Sequence, residues 1–219
     1  MKMKNIEKIL EEIRKIHERM IEEYEKKNKL QTKFREIQRI CGEAVTAIHR
    51  GKIEEAEEKI KRAEEKIKIE KVKVNLKNST LNSTVTTAIQ EYVEAKSLLE
   101  IEKNNRLPTI DELEISEKAY ILGLADLIGE LRRRTLNHLI KGEIEKAKEK
   151  FGLMIILHQT LQQLEYPRSL IPGLRSKLDA MRRIIEDTEK IITQATISLK
   201  LYEKLKEIYD EKKLDEINF

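Results

Sequence analysis

Only three prolines and seven glycines interrupt a chain of 219 residues, and between them apolar residues recur at helical spacing. That spacing puts apolar side chains on one face of a helix, and the scarcity of breakers lets each helix run long. The first pattern runs from about Met3 to Arg50, through Ile6, Ile9, Leu10, Ile13, Ile16 and Met20 and then Phe34, Ile37, Cys41, Ala44 and Ile48, and Gly51 ends it. A second, from Ile53 to Leu76, is dense in Lys and Glu with a narrow apolar seam, and Asn78, Ser79 and Thr80 predict a turn. The third covers Leu81 to Lys103 and closes at Asn104, Asn105 and Pro108, after which Thr109 and Glu112 have capping-box spacing. The fourth, Ser116 to Ile140, stops at Gly142, and the fifth runs from Ile144 to Leu164 before a break at Pro167, Pro172 and Gly173. The last spans Leu174 to Lys212 and carries a coiled-coil-like face through Leu174, Leu178, Met181, Ile185, Thr188, Ile192, Ala195, Leu199 and Tyr202.

Composition agrees with this reading. Charged residues make up 38% and aromatics 4%, there is no tryptophan, and Lys, Glu, Ile and Leu dominate, which favours helices over sheet. The expectation is an all-α fold, with residues 1–219 forming a single domain of about six to seven long antiparallel helices. The Lys and Glu enrichment is of the kind found in thermophiles. A net charge of +4 permits nucleic-acid binding without requiring it. One cysteine, Cys41 beside Ile37, Ile40 and Ala44, reads as a small core residue and leaves no partner for an internal disulfide. With neither a signal-peptide pattern nor an apolar run long enough to span a bilayer, a soluble cytoplasmic protein is expected. One echo runs through the chain, since Gly51-Lys-Ile-Glu-Glu-Ala-Glu-Glu-Lys resembles Gly142-Glu-Ile-Glu-Lys-Ala-Lys-Glu-Lys, and it reads as repeated hairpin chemistry rather than a solenoid period.

Within the fourth pattern, Ala119 to Leu131 contains only two charges, Asp126 and Glu130. They lie four residues apart and share one helical face with Gly123 and Gly129, with Arg133 and Asn137 further along. Carboxylates in an apolar helix need a partner, either a basic side chain from another helix or a metal ion. On the third pattern Glu91 and Glu94 lie three apart, flanked by Thr87, Ala95 and Leu98, away from the main apolar face of Ile89, Tyr92, Val93 and Leu99. Two carboxylates from each of two neighbouring helices make an all-oxygen ligand set suited to Mg²⁺, Mn²⁺ or Ca²⁺. A ferritin-type di-iron site requires Glu-x-x-His pairs, which His17, His49, His138 and His158 do not supply at these positions. Arg133 is placed to hold a phosphate. Arg35, Arg39, Gly42, Thr46 and then His49 or Arg50 form a stripe that can track a phosphate backbone or serve as ordinary surface charge.

Two strings, Gln90-Glu-Tyr-Val-Glu-Ala95 and Tyr120-Ile-Leu-Gly-Leu-Ala-Asp-Leu-Ile-Gly-Glu-Leu-Arg132, resemble the translin superfamily, and within it translin-associated factor X, the nuclease subunit. The order and lengths of the helices from about Leu30 onward also fit that seven-helix fold. The resemblance implies a Mg²⁺-dependent endoribonuclease that cleaves single-stranded RNA inside a closed oligomer, typically an octamer. It places the metal-binding and catalytic acids on Glu91, Glu94, Asp126 and Glu130. Translin itself lacks this acidic set, which puts the chain nearer the catalytic branch. The connection between the third and fourth long helices is shorter than in the eukaryotic nuclease subunit, and the compact Lys/Glu/Ile-rich chain has a prokaryotic or archaeal character. A role in RNA silencing is therefore not carried over.

The resulting expectation is a homo-oligomeric endoribonuclease using Mg²⁺, or Mn²⁺ in its place, with Arg133, Arg35, Arg39 and Arg50 contacting the strand. Two other readings stay open. One is a non-catalytic oligomer that binds single-stranded RNA or DNA, and the other is a helical scaffold without a nucleic-acid role.

Overall fold

Two glycines set the architecture. Gly51 and Gly142 take φ of +77° and +74°, a left-handed conformation that costs an L side chain and that glycine adopts freely. Around the first, Lys52 N–H bonds Ala47 C=O at 3.0 Å and Gly51 N–H bonds Ile48 C=O at 2.9 Å. Around the second, Glu143 N–H bonds His138 C=O at 2.9 Å and Gly142 N–H bonds Leu139 C=O at 3.0 Å. The same turn chemistry thus reverses the chain twice.

The computed structural model describes residues 2–71, 79–164, 167 and 169–217. Among the described residues there are seven helices and no strand: α1 (Lys2–His49), α2 (Ile53–Lys71), α3 (Ser79–Asn104), α4 (Ile110–Leu113), α5 (Glu117–Ile140), α6 (Ile144–Gln162) and α7 (Leu174–Ile217). The all-α expectation holds. Ser79 and Thr80, read from sequence as a turn, open α3 instead, in keeping with the tolerance of Ser and Thr for a helix start. Asn78 and Leu76 lie outside the described residues. No described helix is long and apolar enough to cross a membrane.

The chain divides into two compact units, residues 1–119 and 120–219, with the boundary inside α5. In the first, ion pairs fix the register of α1 against α2. Lys33 meets Glu70 at 2.7 Å, Lys66 meets Glu36 at 3.0 Å and Lys59 meets Glu43 at 3.0 Å, so one helix descends as the other climbs. On the other side of α2, Glu57 takes Lys103 at 2.5 Å and Glu64 bonds the Tyr92 hydroxyl, which makes α3 antiparallel to α2. Between the three helices, Phe34, Ile37 and Cys41 pack with Ala56, Ile60 and Ala63 and with Ala88, Val93 and Leu98, all at most 2% exposed. The Thr109–Glu112 capping box is present, with Glu112 N–H on Thr109 Oγ1 at 3.3 Å and Thr109 N–H on Glu112 Oε2 at 2.7 Å.

The second unit repeats the path. Thr135 on α5 reaches the Met154 sulfur on α6 at 3.8 Å, and the His158 ring on α6 donates from Nε2 to Leu178 C=O on α7 at 3.0 Å. Asp126 and Arg132 on α5 meet Lys177 and Thr188 on α7 in the same order, so these two helices run parallel. The buried positions Ala56, Ala63 and Ile67 of α2 reappear at the same spacing as Ala147, Met154 and His158 of α6. Likewise Phe34, Ile37 and Ala44 of α1 reappear as Ala125, Ile128 and Thr135 of α5. The sequence echo at Gly51 and Gly142 is the visible part of this repetition.

Two helical ends carry exposed apolar positions. On α1, Lys33 meets Glu70, the last residue but one of α2 as described, and the N-terminal part of the helix lies ahead of it. Its apolar positions Ile6, Ile9, Leu10, Ile13, Ile16 and Met20 are all at least 46% exposed. On α7 the coiled-coil-like face is buried at Leu174, Leu178, Thr188 and Ile192, but Leu199 and Tyr202 are exposed.

Candidate acidic site

The middle of α5 is buried through Leu122, Ala125, Leu127, Ile128 and Leu131, the apolar positions the sequence marked. From this helix the side chains of Asp126 and Glu130 emerge 29% and 23% exposed. Lys177, in the first turn of α7, donates to Asp126 Oδ1, so the carboxylate is paired. Glu130 has Arg133, three residues on, at 4.0 Å, and that arginine is more than half exposed. At Gly129, between the two acids, an added Cβ meets no atom of the chain within 4 Å, so this face of the helix is open to approach. An interhelix ion pair was one of the two partners expected for this pair of acids, and Lys177 supplies it.

In the first unit Glu91 and Glu94 are half-buried on α3, next to the fully buried Ala95 and Leu98. Both sit beside Cys41 of α1. Burial first, then the Glu91 and Glu94 charges, pushes the Cys41 thiol up to about 12, so it is a core residue and not a nucleophile. Neither unit, among the described residues, gathers three or more His, Cys, Asp or Glu side chains into one group. Each presents one acidic pair, Glu91 with Glu94 and Asp126 with Glu130. A pair of carboxylates matches what Mg²⁺ takes from protein, one or two carboxylates with water completing its octahedron, so the donor chemistry fits a hard cation. A cation at Asp126 would have Lys177 as a competitor.

The basic stripe on α1 is partly neutralised. Arg39 and Lys59 both bond Glu43, whose carboxyl is held below the usual range by Lys59 despite some desolvation. Arg50 lines an open groove of about 320 Å³ with Gly42, Thr46, Lys52 and Lys59, and the carboxylates Glu43 and Glu55 lie in the same wall. Arg35 is exposed on the adjoining turn.

Lys177 is the site residue that the sequence did not single out. Its signal is faint: it precedes Leu178, a packing position of α7, and so stands at the edge of a buried face.

The fold and these residues define a class: an all-helical protein of two up-down-up units, each presenting a carboxylate pair at the edge of its core. The Translin family model matches residues 2–198, and the chain belongs to that family. It is 33% identical over 183 residues to an uncharacterised protein of Methanocaldococcus jannaschii, across 80% of this chain and 78% of that one. Among solved structures it is similar to AfC3PO, with a TM-score of 0.76 and 30% identity over 85% of this chain and 98% of the other. A structure of AfC3PO in complex with duplex RNA matches with a TM-score of 0.75 at 30% identity, over 85% and 97% of the two chains. Apo-NeC3PO matches at 0.72 and 27%, over 84% and 96%.

Proposed function

We propose that this chain is a Mg²⁺-dependent endoribonuclease of the translin-associated factor X type, working as a homo-oligomer, with Glu91, Glu94, Asp126 and Glu130 as its metal-holding acids. The observation that carries the reading is the emergence of Asp126 and Glu130, part-exposed, from a helix buried at Leu122, Ala125, Leu127, Ile128 and Leu131. Family membership and the likeness to a C3PO solved with duplex RNA support RNA as the substrate class. Single-stranded RNA is the proposed substrate, with Mn²⁺ as a substitute ion.

When bound, Mg²⁺ lowers the pKa of a coordinated water and offsets charge on the scissile phosphate. The chain's own residues do the rest. The carboxylates would hold the ion, and one of their oxygens would accept a proton from water. Arg133, more than half exposed one turn beyond Glu130, presents its guanidinium to a phosphate oxygen. Arg35 and Arg50 extend the basic track along α1, where Arg39 is already committed to Glu43.

The Asp126–Lys177 pair favours a second reading, in which the acids are structural and the oligomer only binds RNA. The deciding experiment is cleavage of labelled single-stranded and duplex RNA with Mg²⁺, with EDTA, and by the Asp126→Asn variant. Metal-dependent cutting that the variant loses, with RNA binding intact, is the expected result. Binding without cutting by the wild-type chain in Mg²⁺ and in Mn²⁺ overturns the nuclease reading in favour of the second.

A further inference from the structure

Lys177 and Asp126 each use only part of their bonding capacity on the other. One hydrogen of the Lys177 ammonium goes to Asp126 Oδ1, and among the described residues neither its other two hydrogens nor Asp126 Oδ2 has a hydrogen-bond partner. The lysine is anchored where it leaves α7, because Leu174 and Leu178, three residues before it and one after, are buried. Its side chain is 34% exposed, so the four-carbon arm can carry the ammonium off Asp126 without moving the backbone. The helix adds to the positive charge. Arg175 and Lys177 stand in the first turn of α7, which holds no acid, and the helix dipole already makes that end positive.

A carboxylate beside an ammonium is the charge complement of a metal ion beside a phosphate. A cation alone on Asp126 strands the ammonium next to it, and a phosphate alone on Lys177 strands the carboxylate. Only the two ligands together leave every charge answered. We propose that Asp126 and Lys177 exchange partners when metal and RNA bind together, Asp126 passing to the cation and Lys177 to an RNA phosphate, so that each ligand strengthens the binding of the other. Lys177 is then a substrate-binding residue, withheld from RNA while no metal is bound. The proposal rests on the metal-holding role given above to Asp126, but it requires no cleavage. Such coupling is reciprocal, with the same factor appearing in both affinities.

Fluorescence anisotropy of a labelled single-stranded RNA tests it, measured in EDTA and in saturating Ca²⁺, a hard cation that takes the same oxygen ligands. On adding Ca²⁺ the wild type is expected to gain at least about fivefold more affinity than Lys177→Met does, while Lys177→Arg gains as the wild type. In Ca²⁺ the slope of log affinity against log salt is expected to be about 0.7 shallower in Lys177→Met, the share of one phosphate contact on a single strand, and in EDTA to match the wild type. Lys190→Met, which removes an exposed lysine paired with Asp187 further along α7, controls for charge alone and is expected to gain as the wild type. Equal Ca²⁺ gains in the wild type and Lys177→Met, or a slope that falls as much in EDTA, overturn the proposal. Calorimetric Ca²⁺ titration with and without the RNA reads the coupling from the other side, and an RNA effect no larger in the wild type than in Lys177→Met overturns it as well. Cutting in Mg²⁺ is scored separately. Coupling without cutting leaves the exchange standing and removes the nuclease reading, and cutting without coupling does the reverse.

Discussion

Lys177 on α7 donates its ammonium to Asp126 on α5, tying together two helices that run parallel and giving a part-exposed acid a cation of its own. A lysine in that position does one of two jobs, holding the helices together or occupying the acid until a metal takes its place. Lys177→Met separates them. Both side chains are about a third exposed, so water screens the pair, and its loss should cost no more than about 1 kcal/mol in denaturant unfolding. The same variant should bind Mg²⁺ or Mn²⁺ more tightly by titration calorimetry, because the competing cation is gone. A larger stability loss with metal affinity unchanged would make the pair structural.

Acid should act at the α5–α6 turn. The Glu143 carboxyl is held down to about 2 from an ordinary 4.5, chiefly by Lys146 and then by His138, which lies 2.6 Å from it. A depressed carboxylate stabilises the fold above its unfolded pKa, and that contribution fades as pH falls from about 4.5 toward about 2. Melting temperatures followed from pH 5 to pH 2 should therefore converge between wild type and Glu143→Gln, with the wild type ahead only at the upper end.

Gly51→Ala and Gly142→Ala force a β-carbon into φ near +77° and +74°. No neighbour crowds either position, so the penalty is the backbone's alone, about 1 kcal/mol each. Equal losses in the two variants would reflect the equivalence of the two hairpins, and thermal or urea unfolding measures them.

The Cys41 thiol should resist a disulfide reagent at pH 8 in the folded protein and react once the chain is unfolded. Its side chain is fully buried, and desolvation together with the charges of Glu91 and Glu94 keeps it protonated. Fast labelling of native protein would mean that α1 and α3 part readily around it.

Periodicity made most of this fold legible. Breaker-free runs with apolar steps became helices, Gly51 and Gly142 became the turns, and the Thr109–Glu112 box capped α4 as its spacing demands. What periodicity conveys is a face and not its neighbour. Ile6 and Ile37 lie on equally regular stripes, yet one is 56% exposed and the other is fully buried with α2 and α3 against it. For the same reason Asp126 could be read as an acid in need of a partner, while Lys177, 51 residues away, was unreadable as that partner. Ser79 and Thr80 misled because Ser and Thr are residue types common to turns and helix starts.

The repeated up-down-up path bears on how the chain acquires its structure. Each hairpin joins helices that are adjacent in sequence, so the contacts forming first span short loops and lose little chain entropy on closure. In the leading half, residues 1–119, the three long helices α1, α2 and α3 are able to close before α6 and α7 exist. During synthesis it is then able to bury its core around Phe34, Ile37 and Leu98 while the trailing half is still being made. The acids of α3 come into place with the first half and those of α5 with the second.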